Sequence, residues 1–149
     1  MPLCVPAALR PLSLPCPLTP GDPMTENETS GLVLNAAIEV HRTLGGPGLL
    51  ESVYEEALAW ELSNAGLAVA RQKQVPIDYK GTILRTPLKL DLLINGSVIV
   101  ECKATSRYHE VFEAQALTYL RLMKLKLAVV INFGEKLLKN GFHRVVNGL

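Results

Sequence analysis

Apolar residues recur every three or four positions in two early stretches of this chain, then alternate or run together through much of the remainder. Leu34, Ala37, Ile38 and His41 mark one face of a first helix, expected over about residues 31–44. Gly45-Gly46-Pro47-Gly48 breaks it. Leu50, Val53, Tyr54, Ala57 and Leu58 then give the stripe of a second helix over about 50–64, which Gly66 ends. Strands are expected near 68–75 and 77–79, a turn at Lys80-Gly81, and a strand over 82–85. Pro87 precedes a strand carrying Asp91, and the next strand covers 98–104. Phe112, Ala116, Leu120 and Met123 return to helical spacing over about 111–124. The run 127–133 is almost continuously apolar, as a strand buried on both faces should be. A last strand is expected over 142–146. Helices, antiparallel strands, a crossover helix and a further strand predict a three-layer α/β domain.

The beginning of the chain is different material. Proline stands at 2, 6, 11, 15, 17, 20 and 23, and two of the three cysteines lie there. Such proline density prevents a helix and cannot build a core, so residues 1–29 are expected to be a disordered segment and 30–149 the folded domain. Prolines interrupt the apolar run and no basic segment precedes it, which argues against a signal peptide. No stretch is long enough to span a membrane as a helix. Met24 precedes the polar run Thr-Glu-Asn-Glu-Thr-Ser and is expected to be the true initiator, which an intact mass of the native protein would show.

A chain of 149 residues can bury one real core. Its net charge of +1 weighs against an obligate, high-affinity nucleic-acid binder. The charge is uneven, however. Lys or Arg stands at 103, 107, 121, 124, 126, 136, 139 and 144, against Glu110, Glu113 and Glu135. Acids gather in the helical half at Glu51, Glu55, Glu56 and Glu61. Arg107, Arg121 and Lys124 are therefore candidate phosphate contacts, while Lys136 and Lys139 read as a solvated face. Cys102 is the one cysteine of the expected domain and has no internal partner, which fits a reducing cytoplasm.

The chemistry concentrates between Asp91 and Lys103, in D-L-L-I-N-G-S-V-I-V-E-C-K. Three charges inside two apolar strands need a compensating role. Strand alternation puts Ile99, Glu101 and Lys103 on one face, and Val98, Val100 and Cys102 on the other. A two-residue turn at Asn95-Gly96 would set Asp91 opposite Val100, on the wrong face. A three-residue loop, with Gly96 in the left-handed region, sets it opposite Glu101, and that register is expected. Asp91 and Glu101 then supply hard oxygen ligands for Mg²⁺ or Mn²⁺, the Cys102 backbone carbonyl adds a third, and Lys103 stabilises developing charge or positions a water. The bland alternative is a surface hairpin with a Glu–Lys pair.

Gln115 and Tyr119, four apart, share one face of the later helix and offer donors and acceptors there. Glu51 opens the second helix, where its carboxylate favours the helix dipole, and it is also a candidate outer metal ligand. His41 and Tyr54 are secondary candidates. A lone His on a helix stripe is more often a packed or capping residue than a ligand. Tyr54 and Trp60 together would suit a partner-binding surface. His109 and His143 show no metal spacing with any Cys, and no phosphate-binding Gly loop or Ser-nucleophile elbow is present.

Asp91, Glu101-x-Lys103 and Gln115-xxx-Tyr119, in this order, resemble the motifs of the PD-(D/E)XK nuclease superfamily in its RecB-like branch. The run Gly48-xx-Glu51-xx-Tyr54 resembles the signature of the bacterial GxxExxY proteins placed there. The likeness covers about residues 30–149. It implies a restriction-endonuclease-like core, a mixed sheet flanked by helices, with a metal site on the second and third strands. It also implies Asp91, Glu101 and Lys103 as catalytic core, Gln115 and Tyr119 as auxiliary pair, and DNA rather than RNA as substrate. Leu90 stands where the superfamily's name has Pro, and either His41 or Glu51 fills the place of the branch's first motif. A nuclease-fold module that binds nucleic acid or protein without cutting is the alternative. With no separate specificity domain in the sequence, a homodimer or a protein partner is expected to widen the footprint.

Overall fold

A computed structural model of the protein describes residues 23–149. Two helices come first, α1 (Glu26–Thr43) and α2 (Glu51–Asn64). Four strands follow: β1 (Val69–Val75), β2 (Asp78–Tyr79), β3 (Thr82–Ile83) and β4 (Leu88–Ile94). Then come β5 (Val98–Lys103), α3 (Val111–Met123), β6 (Leu127–Asn132), one 3-10 turn (Leu138–Gly141) and β7 (Phe142–Val146).

The first helix starts earlier than its apolar stripe suggests. Thr25 and Glu28 form a reciprocal cap: the Glu28 N–H donates to Thr25 Oγ1 at 3.2 Å, and the Thr25 N–H donates to Glu28 Oε2 at 2.8 Å. Thr29 and Ser30 are buried. The boundary expected between residues 29 and 30 therefore falls inside a helix and is corrected to the cap at Thr25. The remainder of the Pro-rich segment, residues 1–22, lies outside the described residues.

Five strands form one mixed sheet in the order β1-β4-β5-β6-β7, and β2 pairs only with β3. The β5–β6 pair is parallel, joined by the crossover helix α3, and the other neighbours are antiparallel. Each face buries a core. Val33, Ala37, Tyr54, Leu58 and Leu62 of α1 and α2 pack on Val100, Cys102, Val129 and Ile131. Ala116 and Leu120 of α3 pack on Ile99, Ala128 and Val130. Every residue of β6 is buried, in agreement with its apolar run. This is the restriction-endonuclease-like α/β arrangement the motifs imply. Among the described residues no helix is long and apolar enough to cross a membrane.

One irregularity matters for function. Leu88 and Leu90 pack toward α3, yet Leu92 and Ile94 pack toward α1 and α2. Strict alternation would keep all four on one face. The switch falls at Asp91. The β1–β4 ladder skips the Gln72–Asp91 pair, and Gln72 has φ +50. A left-handed residue in an edge strand breaks the pleat locally, and the neighbouring strand turns over with it.

Candidate active site

The loop between β4 and β5 sets the register. Ile94 pairs with Val98 and Leu92 with Val100, so three residues, Asn95 to Ser97, lie outside the ladder. Asn95 (φ +54) and Gly96 (φ +66) both take the left-handed conformation, and the Ser97 N–H closes the turn on the Ile94 carbonyl at 3.0 Å. Continuing the register puts Asp91 opposite Glu101.

There the two strands part. The main-chain ladder stops at Leu92–Val100, and two side chains replace it. The Asp91 N–H donates to Glu101 Oε1 at 3.2 Å, and the Cys102 N–H donates to Asp91 Oδ2 at 2.9 Å. Each carboxylate thus answers a backbone donor of the other strand. On the far side of β5 the Lys103 carbonyl accepts from the Phe133 N–H at 2.8 Å. Carbonyls alternate along a strand, so that of Cys102 points into the gap beside Asp91. The Cys102 thiol lies in the α1–α2 core, and burial first, then the surrounding carboxylates, raise its pKa.

Glu101 is 5 % exposed. Burial and the neighbouring Asp91 charge push its carboxyl up to about 8, against the pull of the Asp91 N–H and Lys103. The Lys103 ammonium lies 4.7 Å from the centre of the Phe112 ring, on the α3 side of the sheet. Tyr119, half-buried on α3, faces the same pair: burial and then the Glu101 and Asp91 charges raise its phenol, while a bond from Gln115 lowers it. Gln115 itself is exposed.

From the other face α2 brings two acids. Burial raises the Glu51 carboxyl; Lys103 opposes this and Asp91 adds to it. Glu51 therefore stands within the field of both site residues. Glu55, one helical turn on, is 6 % exposed, and its pKa is also raised by burial. Gln72 Nε2 donates to Glu55 Oε1 at 2.6 Å, and Arg71 Nη2 lies 3.8 Å from Oε2. The break in β1 at Gln72 thus ties α2 to the sheet beside Asp91. Glu55 and Gln72 were not singled out from the sequence. The four-residue spacing from Glu51 was the available sign for Glu55, while nothing local marks Gln72.

Other sequence candidates sit elsewhere. Tyr54 is fully buried, so it offers no exposed aromatic surface. Its ring stacks on Phe133 at 4.6 Å, and its hydroxyl donates to the Gly46 carbonyl at 2.7 Å and accepts from the Leu49 N–H at 3.1 Å. It holds the turn that delivers Glu51. Trp60, 62 % exposed, does keep its surface position. His41 is buried, with Nε2 2.8 Å from the Glu135 carbonyl, and holds the loop after β6 rather than joining the carboxylates. Arg107 follows β5 on the site side, where Thr105 Oγ1 donates to its carbonyl at 2.9 Å. Lys124 ends α3 just before β6, whose start pairs with Val98, five residues and roughly 17 Å along β5 from Lys103. Lys124 thus stands at the end of the sheet away from the carboxylates, and Arg121, in the last turn of α3, lies toward the same end.

Among the described residues no three His, Cys, Asp or Glu side chains converge into a ready metal cluster. The available donor set is two carboxylates and one backbone carbonyl, all hard oxygens. A sequence model described as PD-(D/E)XK nuclease superfamily matches residues 27–145. No curated protein and no solved structure matches the chain.

Proposed function

The chain belongs to the PD-(D/E)XK nuclease superfamily, and from that membership we propose that it hydrolyses phosphodiester bonds of DNA, in preference to RNA, where β4 and β5 part. One observation carries this reading: the exchanged bonds that hold the Asp91 and Glu101 carboxylates together in the opening, with Lys103 on the same strand as Glu101. Asp91, Glu101 and the Cys102 carbonyl would hold Mg²⁺ or Mn²⁺. Their fit rests on donor chemistry: two close carboxylates, one of them discouraged from ionising first by its burial and then by the other's charge, favour a hard dication between them. When bound, the ion would neutralise charge on the scissile phosphoryl group.

The chain's own groups do the rest. The Lys103 ammonium, kept over the Phe112 ring, holds the attacking water and takes up developing negative charge. Tyr119 keeps its phenolic proton and donates a hydrogen bond to a phosphate oxygen, oriented by Gln115. Glu51 binds outer water between α2 and Lys103. Gly48, at φ +114, and the buried Tyr54 shape the turn ahead of Glu51. That division of labour supports placing the chain among the GxxExxY proteins of the RecB-like branch, with Glu51 rather than His41 in the first motif. The buried free thiol of Cys102 suits a reducing cytoplasm. A homodimer or protein partner would widen the footprint of this single domain.

A second reading draws on the two-carboxylate donor set, which no third His, Cys, Asp or Glu side chain joins among the described residues: a nuclease-fold module that binds nucleic acid or a protein and does not cut. A cleavage panel separates the two. Single-stranded, duplex, nicked and branched DNA, with RNA beside them, are incubated with and without Mn²⁺. We expect Mn²⁺-dependent cutting that Asp91→Ala and Lys103→Ala each reduce by at least about a hundredfold with the fold retained. Binding by the wild type without cutting under any of these conditions supports the silent module.

A further inference from the structure

The connection from β1 to β4 leaves the sheet at the end that carries Lys103. Val75 pairs with Leu88, and β4 runs from Leu88 toward Ile94 while β5 runs from Val98 toward Lys103, with Leu92 opposite Val100. The β2–β3 hairpin therefore rises beside the opening that holds Asp91 and Glu101. It is short and well fixed. Ile77 packs into the α3-side core, and the Leu84 N–H donates to the Ile77 carbonyl at 2.9 Å. Lys80 (φ +52) and Gly81 (φ +84) form the tip, where the Gly81 N–H donates to Asp78 Oδ1 at 2.7 Å.

Among the described residues nothing covers this hairpin. All four of its paired residues are exposed, and Tyr79 and Ile83 keep 58 % and 61 % of their surface open. An isolated two-stranded ribbon gains little stability by itself, so core packing does not explain its surface. Its charge is distinctive. From Arg71 to Lys89 five Lys or Arg stand against the single acid Asp78, whereas α1 and α2 carry seven Glu against Arg42. Lys80, Arg85 and Lys89 are exposed, and among the described residues none of the three joins an ion pair. The Lys80 ammonium lies 5.5 Å from the Tyr79 ring centre, so charge and aromatic face are presented together.

We propose that the β2–β3 hairpin and its base are the nucleic-acid track of this protein, with Lys80, Arg85 and Lys89 bonding the phosphate backbone and leading it to the opening between β4 and β5. This deepens the nuclease reading and rests on it. A polyanion fits better than a protein partner because the exposed surface joins excess positive charge to an aromatic ring. The acidic α1–α2 layer would repel the same strand, so the path follows the hairpin and meets that layer only at its edge, where Lys89 stands within the field of Glu55. The track also replaces Arg121 and Lys124 as the main phosphate contacts, since they lie toward the other end of β5.

The test is binding in EDTA, so that cleavage plays no part. Fluorescence anisotropy of labelled duplex and single-stranded DNA oligonucleotides is measured against salt for three full-length proteins. These are the wild type, a Lys80→Asn/Arg85→Gln/Lys89→Gln variant, and an Arg121→Gln/Lys124→Asn variant. Asn suits the left-handed backbone at residues 80 and 124. The hairpin variant is expected to lose at least about tenfold in affinity, with a salt slope shallower by roughly two to three, near 0.9 per lost contact. The helix-end variant should match the wild type. Unchanged binding by the hairpin variant overturns the track, and so do equal losses in both variants. A wild type that binds neither oligonucleotide at low salt overturns the track as well, while Mn²⁺-dependent cutting in the cleavage panel decides the nuclease reading separately.

Discussion

Glu101 carries the sharpest consequence at the scale of single residues. In the unfolded chain it ionises near the ordinary value of 4.5, and in the folded protein near 8. Between those values the native state holds a proton that the unfolded state has released. Stability without metal therefore falls as pH rises through this window and levels off above it. Glu101→Gln should flatten that fall and raise the melting temperature more at pH 8 than at pH 5, as a thermal scan across pH will show. Ionising Glu101 makes room for a dication, so Mg²⁺ should raise the melting temperature most at the alkaline end and release protons at neutral pH, measurable by calorimetry in two buffers. Tyr54 is the opposite kind of residue, a polar group whose work is structural. Tyr54→Phe removes both its hydroxyl bonds, to Gly46 and Leu49, and should cost about 1–2 kcal/mol in urea unfolding. The apolar stripe marked its buried face correctly. A stripe gives no sign of whether a tyrosine's hydroxyl ends in solvent or on a carbonyl.

Among the elements, the cap of α1 is written in the chain as Thr25-x-x-Glu28, ahead of the expected helix start. Thr25→Ala should cost about 1 kcal/mol by the same measurement. The strands on either side of the site were legible because their apolar runs are long. Their splay at Asp91 was not, because it comes from Gln72 in another strand, which adopts a left-handed φ inside a run of ordinary strand residues. The loop beyond β5 is held in the same non-local way. Asn132 Oδ1 accepts from the Thr105 and Gly134 N–H groups, each at 3.0 Å, and Asn132 Nδ2 donates to the Thr105 carbonyl at 3.0 Å. A Cβ at residue 134 would stand 2.2 Å from the Thr105 oxygen. Gly134→Ala should therefore cost about 2 kcal/mol or more and lower cleavage too, since the displaced loop continues directly from Lys103.

For the molecule as a whole, one sheet separates two cores that share few side chains. Leu58 belongs to the α1–α2 side and Leu120 to the α3 side. Helix layers on opposite faces of a sheet lie roughly 20 Å apart, since each packs about 10 Å from it. Leu58→Ala and Leu120→Ala should each cost about 2–5 kcal/mol, and together they should add to within about 0.5 kcal/mol. A marked departure from additivity in urea unfolding would mean that the sheet transmits strain between its faces. Charge is divided on the same scale, with acids on the α1–α2 layer and bases around the β2–β3 hairpin. That division vanishes in the net charge of +1, which is why composition alone argued against nucleic acid.

The chain by itself determined the order and kind of the elements, the apolar strands, the solvent-averse Cys102 and the motif residues from Asp91 to Lys103. These follow from periodicity and local chemistry, which act between near neighbours. The tertiary structure decided what those residues touch. It put His41 and Tyr54 into packing roles, set Lys124 at the far end of the sheet, brought Glu55 and Gln72 beside Asp91, and left the β2–β3 hairpin exposed at the Lys103 end. Each of these outcomes depends on strand order, register or a single left-handed residue. The energies that fix them are shared between segments far apart in the chain, so no local pattern records them.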